Sequence, residues 1–156
     1  MHPNAERVDA ALRAGGVAAE IREFTEATRT AADAAAALGV PVGAIVKSLV
    51  FVADGEPVLV LASGDHQVDT TAVAHALGAA QVGRADADLV RDATGFAIGG
   101  VAPVAHPRPL RTLIDTHLST YDVLWAAAGT PNSVFAIGYD DLARIADATP
   151  ADVAAR

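Results

Sequence analysis

Apolar residues in this chain follow two patterns, one with the period of a β-strand and one that fills short segments closed by glycine. The clearest strand pattern is a pair of apolar runs, residues 45–53 and 57–63, that flank Asp54-Gly55. Asp-Gly between two such runs is a strong signal for a tight hairpin turn, because the turn needs positive φ angles. The sequence therefore predicts an antiparallel hairpin over residues 45–63.

The glycine-closed segments have the start and stop signals of short helices. Asn4, Thr30 and Asp69 belong to the residue types that cap helix N-termini, and glycine follows the last apolar position of most segments. Helices are predicted over residues 4–14, 31–39, 69–78, 86–95 and 139–148, and further strands over 17–24, 110–115, 121–129 and 133–138.

Helices and strands alternate along the chain, and at least one strand pair is antiparallel. That arrangement favours an α/β (mixed α+β) fold with a mixed, partly antiparallel sheet flanked by helices. No repeat, linker or low-complexity segment divides the 156 residues, so the sequence predicts a single domain over 1–156.

Composition and charge restrict the classes of function. The chain has no cysteine, which excludes disulfides, thiol catalysis and cysteine-based zinc sites. Its net charge of -8 argues against coating DNA or any long nucleic acid, but not against one local contact with a nucleic-acid end. No secretory signal or membrane-length apolar run is visible, so we expect a cytoplasmic protein without membrane contact.

Familiar catalytic and cofactor motifs are missing. The chain has no GxGxxG, no P-loop and no GxSxG motif, so no cofactor is predicted. The five histidines lack compact ligand spacing, so no metal site is predicted either. Ser63, Asp65 and His66 could be imagined as parts of a triad, but a polar turn after a strand is the favoured interpretation.

Lys47 is the first feature that points to chemistry. It is the only lysine, since the other ten basic residues are arginine, and it lies within an apolar strand. Strand alternation places Lys47 on the same side as Leu49 and Phe51, and opposite Val46, Ser48 and Val50. The ammonium either extends to water at the strand's end or serves a ligand oxygen as a compact point charge.

The loop TGFAIGGVAPVAHP, residues 94–107, is the second such feature. Its paired glycines allow close backbone approach to a ligand, and Pro103 stiffens the chain at Ala102. Free backbone N–H groups in such a loop can hold an oxyanion. Taken alone, a loop with this pattern of glycine and proline is more often a plain connection than a ligand site.

Five segments in order, IVKSLVF, DTTAVAHALGA, ADADLVRDATGFAIGGVAP, LRTLID and AAGTPNSVFAI, resemble the YbaK-type aminoacyl-tRNA deacylases, also called the prolyl-tRNA-synthetase-associated editing domain. The resemblance covers residues 17–150. It implies an α/β domain around a curved mixed sheet. The implied activity is hydrolysis of a wrongly attached amino acid from tRNA, most often the tRNA for proline.

The resemblance also implies roles for individual residues. Lys47 would help to hold the tRNA 3′ end, and Gly99, Gly100 and Pro103 would form the loop at the reacting ester. Phe24, Ala102, Ala105 and Gly129 would contact the substrate. Ala105 departs from the family pattern, which has glycine there, and alanine would be strained if the position needs positive φ.

Two functions stay open at this stage. The first is a deacylase acting in trans on a mischarged aminoacyl-tRNA 3′ end, with backbone groups and the substrate's own ribose hydroxyl doing the chemistry. The second is a non-catalytic module that binds the aminoacyl-tRNA end or prolyl-tRNA synthetase. A general esterase is weaker because no nucleophile–base pair is visible. The sequence names neither the amino acid, the tRNA nor the oligomeric state.

Overall fold

The structure is a computed structural model that describes residues 1–25, 28 and 30–155. Its helices are α1 (Pro3–Ala14), α2 (Ala31–Leu38), α3 (Thr70–Leu77), α4 (Ala87–Thr94) and α5 (Tyr139–Ile145). Its strands are β1 (Ile21–Glu23), β2 (Ile45–Ala53), β3 (Glu56–Ser63), β4 (Val82–Arg84), β5 (Arg111–Asp115), β6 (Leu124–Ala127), β7 (Ser133–Ile137) and β8 (Ala148–Ala151).

The strands form one eight-stranded mixed sheet, which confirms the predicted fold class. Seven strands lie in the order β1-β7-β6-β2-β3-β5-β8, and β4 pairs separately with β2. The β2–β6, β3–β5 and β5–β8 pairs are parallel, and the remaining pairs are antiparallel. None of the helices in the described part of the chain is long and apolar enough to cross a membrane.

The central hairpin is confirmed. β2 pairs with β3 along its length, from Val46 opposite Ser63 to Ala53 opposite Glu56. Asp54 and Gly55 have φ angles of 49° and 87°, the positive pair that a tight hairpin turn requires. The Asp54 carboxylate also accepts backbone hydrogen bonds from Ala80 and Gln81, which lower its pKa and hold the segment before β4 against the turn.

Most helix boundaries follow the predicted caps. The side chains of Thr30 and Asp69 accept backbone hydrogen bonds from Asp33 and Thr71, and Gly39 closes α2 with φ of 70°. The first helix differs from prediction. It begins at Pro3, and the ring of His2, not Asn4, provides the N-terminal cap.

Two other expectations were wrong in detail. The strand predicted over 17–24 is limited to β1, because the Val17 amide bonds to the Leu12 carbonyl and closes α1. The last predicted helix ends at Ile145, and after Asp147, with φ of 49°, the chain forms β8. The short strand β4 was not predicted.

The two faces of the sheet carry separate apolar cores. Val46 and Val50 of β2 pack with α1, α5 and the loop after α4, while Phe51 and Ala53 pack with Val73 and Leu77 of α3. The predicted alternation of β2 is therefore confirmed. Lys47 shares the face of Leu49 and Phe51, and Ser48 shares the face of Val46 and Val50.

Candidate functional site

The turn between β6 and β7 brings several predicted site residues together. Gly129 lies in this turn with φ of 97°, and its carbonyl accepts a hydrogen bond from Asn4 Nδ2 at 3.2 Å. A Cβ on Gly100 would lie 3.0 Å from the Thr130 backbone, so the predicted loop packs directly on the turn. The Phe24 amide donates to Asn132 O at 2.7 Å. Phe24, Gly100 and Gly129 therefore lie around one turn.

The loop of residues 95–107 combines an exposed tip with a buried stem. Gly99 is exposed with φ of 91°, and Ile98 beside it has 61% of its surface exposed. Val101, Ala102, Pro103 and Val104 are buried on the face of the first core. The loop can therefore hold its tip firmly while the tip backbone stays accessible.

His106 fixes the stem of this loop. Its Nε2 donates to the Ala102 carbonyl at 2.8 Å, and burial lowers the pKa of the ring. The ring also meets Phe96 edge-on, with centroids 6.4 Å apart. The Ala102 carbonyl is thus already bonded within the protein, and the Ala102 side chain is fully buried in the first core.

Ala105 occupies the strained position that the sequence flagged. Its φ is 67°, in the left-handed region where a Cβ costs about 1–2 kcal/mol. Ala105→Gly is expected to stabilise the fold by about 1 kcal/mol, which raises Tm by roughly 2–4 °C. Thermal unfolding would measure this shift. Ala85→Gly, at a half-buried loop residue with ordinary φ, is the matched control and should lower Tm. Equal shifts in both variants would contradict the strain.

Lys47 is a half-buried residue of β2 whose side chain reaches the segment that follows β3. Its Nζ donates to the His66 carbonyl just beyond β3. Burial lowers the pKa of Lys47, and the nearby Asp65 and Asp115 carboxylates oppose that shift. An ammonium has three N–H donors, and the His66 carbonyl takes one of them. Lys47 is therefore a cation held in place at the edge of the core.

The sheet is open beside Lys47. β3 covers one edge of β2 along its length, and the other edge pairs with β6 at Ile45 and Val46 and with β4 from Phe51 to Ala53. Among the described residues no strand pairs with residues 47–50 on that second edge. β6 pairs with β2 only at Ile45 and Val46, and it ends at Ala127, two residues before Gly129 in the turn that follows.

Ser48 lies at the same open edge of β2, and the sequence did not single it out. Its Oγ is buried and has no hydrogen-bond partner within the part of the chain that the structure describes. Orphaned buried hydroxyls are rare in folded proteins, since each costs about 1–3 kcal/mol. Ser48 shares the face of the first core, to which the stem of the 95–107 loop belongs. Only its place beside Lys47 in the strand could have suggested it.

The predicted residues do not all reach one face of the sheet. The Lys47 side chain stands on the face of the second core, whereas Val101, Ala102 and Val104 pack on the first. A ligand that uses both Lys47 and the loop would have to reach both faces of the sheet. The catalytic and substrate-binding roles of the eight residues stay predictions.

The imagined Ser63 triad is not assembled. Ser63 Oγ lies 2.6 Å from the Gly43 carbonyl and 2.7 Å from Asp65 Oδ1, whereas His66 Nδ1 lies 2.9 Å from Asp115 Oδ2. Ser63 is fully buried, and no contact between its hydroxyl and the His66 ring occurs in the described residues. The serine therefore braces the turn after β3, as the favoured interpretation held.

Comparisons with known proteins identify the family. Residues 25–145 match the model of the aminoacyl-tRNA editing domain, and the chain belongs to that family. A proline–tRNA ligase of Desulfovibrio desulfuricans is 34% identical over 150 residues, which cover 94% of this chain and 25% of the ligase. The ligase of Geobacter sulfurreducens is 39% identical over 80 residues, 51% of this chain and 14% of that enzyme. The chain thus spans a quarter or less of these ligases' length.

Solved structures share the whole fold. A candidate trans-editing enzyme for prolyl tRNA synthetase superposes with a TM-score of 0.95 at 39% identity, covering 100% of this chain and 99% of the other. The hypothetical protein APE2540 superposes with a TM-score of 0.88 at 29% identity, covering 96% and 99% of the two chains. The resemblance found in the sequence is confirmed at the level of family and fold.

Proposed function

We propose that this protein hydrolyses the ester bond of aminoacyl-tRNA that carries a wrong, small amino acid, with the tRNA for proline as the first candidate. It would act in trans on the charged 3′ end, in the cytoplasm where tRNA is charged. The family match and the similarity to a candidate trans-editing enzyme support this proposal. The observation that carries it is the meeting of Phe24, Gly100 and Gly129 around one turn.

The chemistry fits a site without a nucleophile–base pair. An aminoacyl ester is already activated, so its hydrolysis needs a polarised carbonyl, an aligned water and a fixed ester. Backbone N–H groups at the exposed tip around Gly99 can polarise the carbonyl, except the Gly100 amide, which donates to the Ala97 carbonyl at 2.9 Å. The substrate's ribose hydroxyl can orient the water. The small side chain of Ala105 limits the size of the amino acid.

The open edge of β2 accounts for how one ligand reaches both faces. An extended nucleotide lying along residues 47–50 would have the Lys47 ammonium on one side and Ser48 on the other, and it would reach the buried Ser48 hydroxyl only after the groups that cover it move aside. Lys47 would then hold a terminal phosphate or sugar oxygen, which suits a compact, strongly hydrated cation. Ser48 would find in the ligand the hydrogen-bond partner that the described residues do not provide.

Removal of wrong amino acids is useful because a synthetase alone cannot fully discriminate between similar side chains. A synthetase distinguishes side chains that differ by one methylene by only about 1–3 kcal/mol. A separate pocket that admits the smaller side chain and excludes the correct one supplies the missing discrimination. Alanine, serine and cysteine are the first amino acids to test, with proline as the excluded one.

A panel of charged tRNAs tests the proposal. The protein is incubated with the tRNA for proline carrying alanine, serine, cysteine or proline, and with alanine on its own tRNA, and loss of the amino acid is followed. We expect at least one mischarged tRNA to be deacylated well above its spontaneous rate, with the prolyl ester spared. Loss at the spontaneous rate throughout would refute the deacylase. Slower loss than spontaneous, through protection of the ester, would favour the non-catalytic binding module.

A further inference from the structure

Asp65, His66 and His117, here called the histidine cluster, converge next to Lys47. His66 Nε2 lies 3.9 Å from Asp65 Oδ1, and His117 Nε2 lies 3.7 Å from Asp65 Oδ2. The two imidazole rings stack with centroids 4.4 Å apart and planes tilted by 27°. One ligand atom from each of the three residues lies within 4.8 Å of the others. The cluster is thus a compact set of two nitrogens and one carboxylate.

Asp115, on the buried side of the cluster, fixes the orientation of the His66 ring. It is buried at 1% exposure, and its Oδ2 lies 2.9 Å from His66 Nδ1. The carboxylate also accepts the Ser63 amide at 3.1 Å and the His117 amide at 3.0 Å. With Nδ1–H donating to Asp115, the lone pair of His66 lies on Nε2, which faces Asp65. Metal-binding histidines are oriented by a carboxylate in this way.

The local charge favours a cation. Asp65, Asp115 and Asp152 surround or border the two rings, and Lys47 is the positive charge that interacts with Asp65 and Asp115. An anion in the pocket lined by the two rings would meet these carboxylates, unlike a ligand oxygen that approaches Lys47 from the edge of β2 at residues 47–50. The Ser63 hydroxyl lies near two acceptors, the Gly43 carbonyl and the Asp65 carboxylate, but it has only one proton to donate. One of these acceptors therefore lacks a hydrogen from Ser63, which adds to the excess of negative oxygen atoms that a cation would neutralise.

We propose that the histidine cluster binds a divalent transition metal of the zinc type through Asp65, His66 Nε2 and His117 Nε2. Tetrahedral ligands at about 2.0–2.1 Å from zinc lie roughly 3.4 Å apart. The distances of 3.9 and 3.7 Å end on different oxygens of Asp65, and the three candidate ligand atoms lie within 4.8 Å of one another, so the ligands would have to approach by up to about 1.4 Å on binding. Two imidazoles with one carboxylate suit zinc rather than magnesium or calcium, which prefer oxygen ligands.

The site can be reached from solvent. His66 and His117 have 24% and 35% of their side chains exposed, and both line an open pocket of about 430 Å³ with Thr116, Thr120 and Asp152. A metal held by three protein ligands would keep a fourth position for water or a ligand in that pocket. This inference does not depend on the proposed deacylase, because it uses none of the residues assigned to the ester.

Tyr121 provides an internal check on the geometry. Its hydroxyl lies 3.4 Å from His117 Nε2, a long contact that a metal on that nitrogen would displace. Tyr121→Phe removes the competing hydroxyl and leaves all three proposed ligands in place. A site built on His117 Nε2 should therefore bind zinc in this variant at least as well as in the wild type.

Zinc titration of the tag-free, metal-stripped protein by calorimetry tests the proposal. We expect one Zn²⁺ per chain, with affinity lowered at least roughly 100-fold in His66→Asn and in His117→Asn, and about 10–100-fold in Asp115→Asn. Exposed His75 lies on α3 away from the cluster, so His75→Asn is the control and should bind as the wild type does. Mg²⁺ should give no comparable binding.

Thermal unfolding keeps the test valid if a variant folds poorly. Zn²⁺ should raise the Tm of the wild type and of Tyr121→Phe, and should leave the Tm of His117→Asn unchanged, since a ligand that binds only the native state stabilises it. Absence of stoichiometric zinc binding by the wild type would overturn the proposal. Zinc binding of equal affinity in the wild type and His117→Asn would overturn it as well.

Discussion

Replacing Lys47 by methionine is expected to lower deacylation of the preferred charged tRNA by roughly 100-fold or more while the protein stays folded. Loss of one charge-assisted contact at a reacting centre costs about that much. Methionine is one heavy atom shorter than lysine but keeps an unbranched apolar stem and removes a buried charge, so most of the packing on the face of Leu49 and Phe51 is retained. Single-turnover loss of the amino acid measures the rate, and thermal unfolding measures the fold.

Arginine and alanine at the same position separate the possible roles of Lys47. Lys47→Arg keeps the charge but replaces a point charge by a wide planar fork, so we expect it to recover only part of the rate. Lys47→Ala should lose the rate as Lys47→Met does. A methionine variant with nearly the wild-type rate would show that the ammonium only anchors the His66 carbonyl. If Lys47→Ala is unfolded while Lys47→Met is folded but inactive, the aliphatic part of the Lys47 side chain is needed for packing and its charge is needed for the reaction.

Ser48→Ala is the companion variant on the opposite face of β2. The Ser48 hydroxyl is buried without a partner in the described residues, so its removal should leave stability unchanged or raise it by about 1 kcal/mol. Thr112→Val is the matched control, because the buried Thr112 hydroxyl donates to the Leu110 carbonyl at 2.9 Å and its loss should destabilise. If Ser48 serves the ligand, its alanine variant loses rate while it gains stability.

Features that depend on neighbouring residues were visible in the sequence. Asp54-Gly55 predicted the hairpin because a tight turn needs two positive φ angles, and both are present. Thr30 and Gly39 marked both ends of α2, since cap and stop act within one helical turn. Alternation along β2 separated Lys47 from Ser48 correctly, because a strand has only two sides. Local physics determines each of these features.

Features made by distant segments were not visible. The histidine cluster joins the end of β3 to the 3-10 helix after β5, and only the parallel β3–β5 pairing brings His66 and His117 together. Asp115 is the last residue of a predicted strand, and in the structure it is buried and accepts backbone hydrogen bonds from Ser63 and His117. The strand β8 was not predicted from the sequence. This strand contains Pro150, a residue that argues against a central strand but is tolerated in β8 because β8 lies at the edge of the sheet.

Gly129→Ala is expected to destabilise the protein by roughly 2–5 kcal/mol, enough to lower Tm by about 5–15 °C. Two costs add here. Gly129 has φ of 97°, which an L side chain rarely adopts, and a Cβ would lie 2.9 Å from the Phe96 ring and 3.0 Å from the Asn4 carbonyl. Neither neighbour can move freely, because Phe96 is buried and Asn4 belongs to α1. Thermal or denaturant unfolding measures the loss.

Two other glycines separate strain from crowding. Gly99 has a similar φ of 91° with open space around a Cβ, so Gly99→Ala reports the strain alone, about 1–2 kcal/mol. Gly83, on β4, has neither positive φ nor a close neighbour, so Gly83→Ala should be neutral or slightly stabilising. If Gly129→Ala cost no more than Gly99→Ala, the turn would be able to move away from α1 and Phe96. Gly100 and Phe24, which meet at this turn, would then have no fixed support, and a pocket that measures the size of a side chain could not be built there.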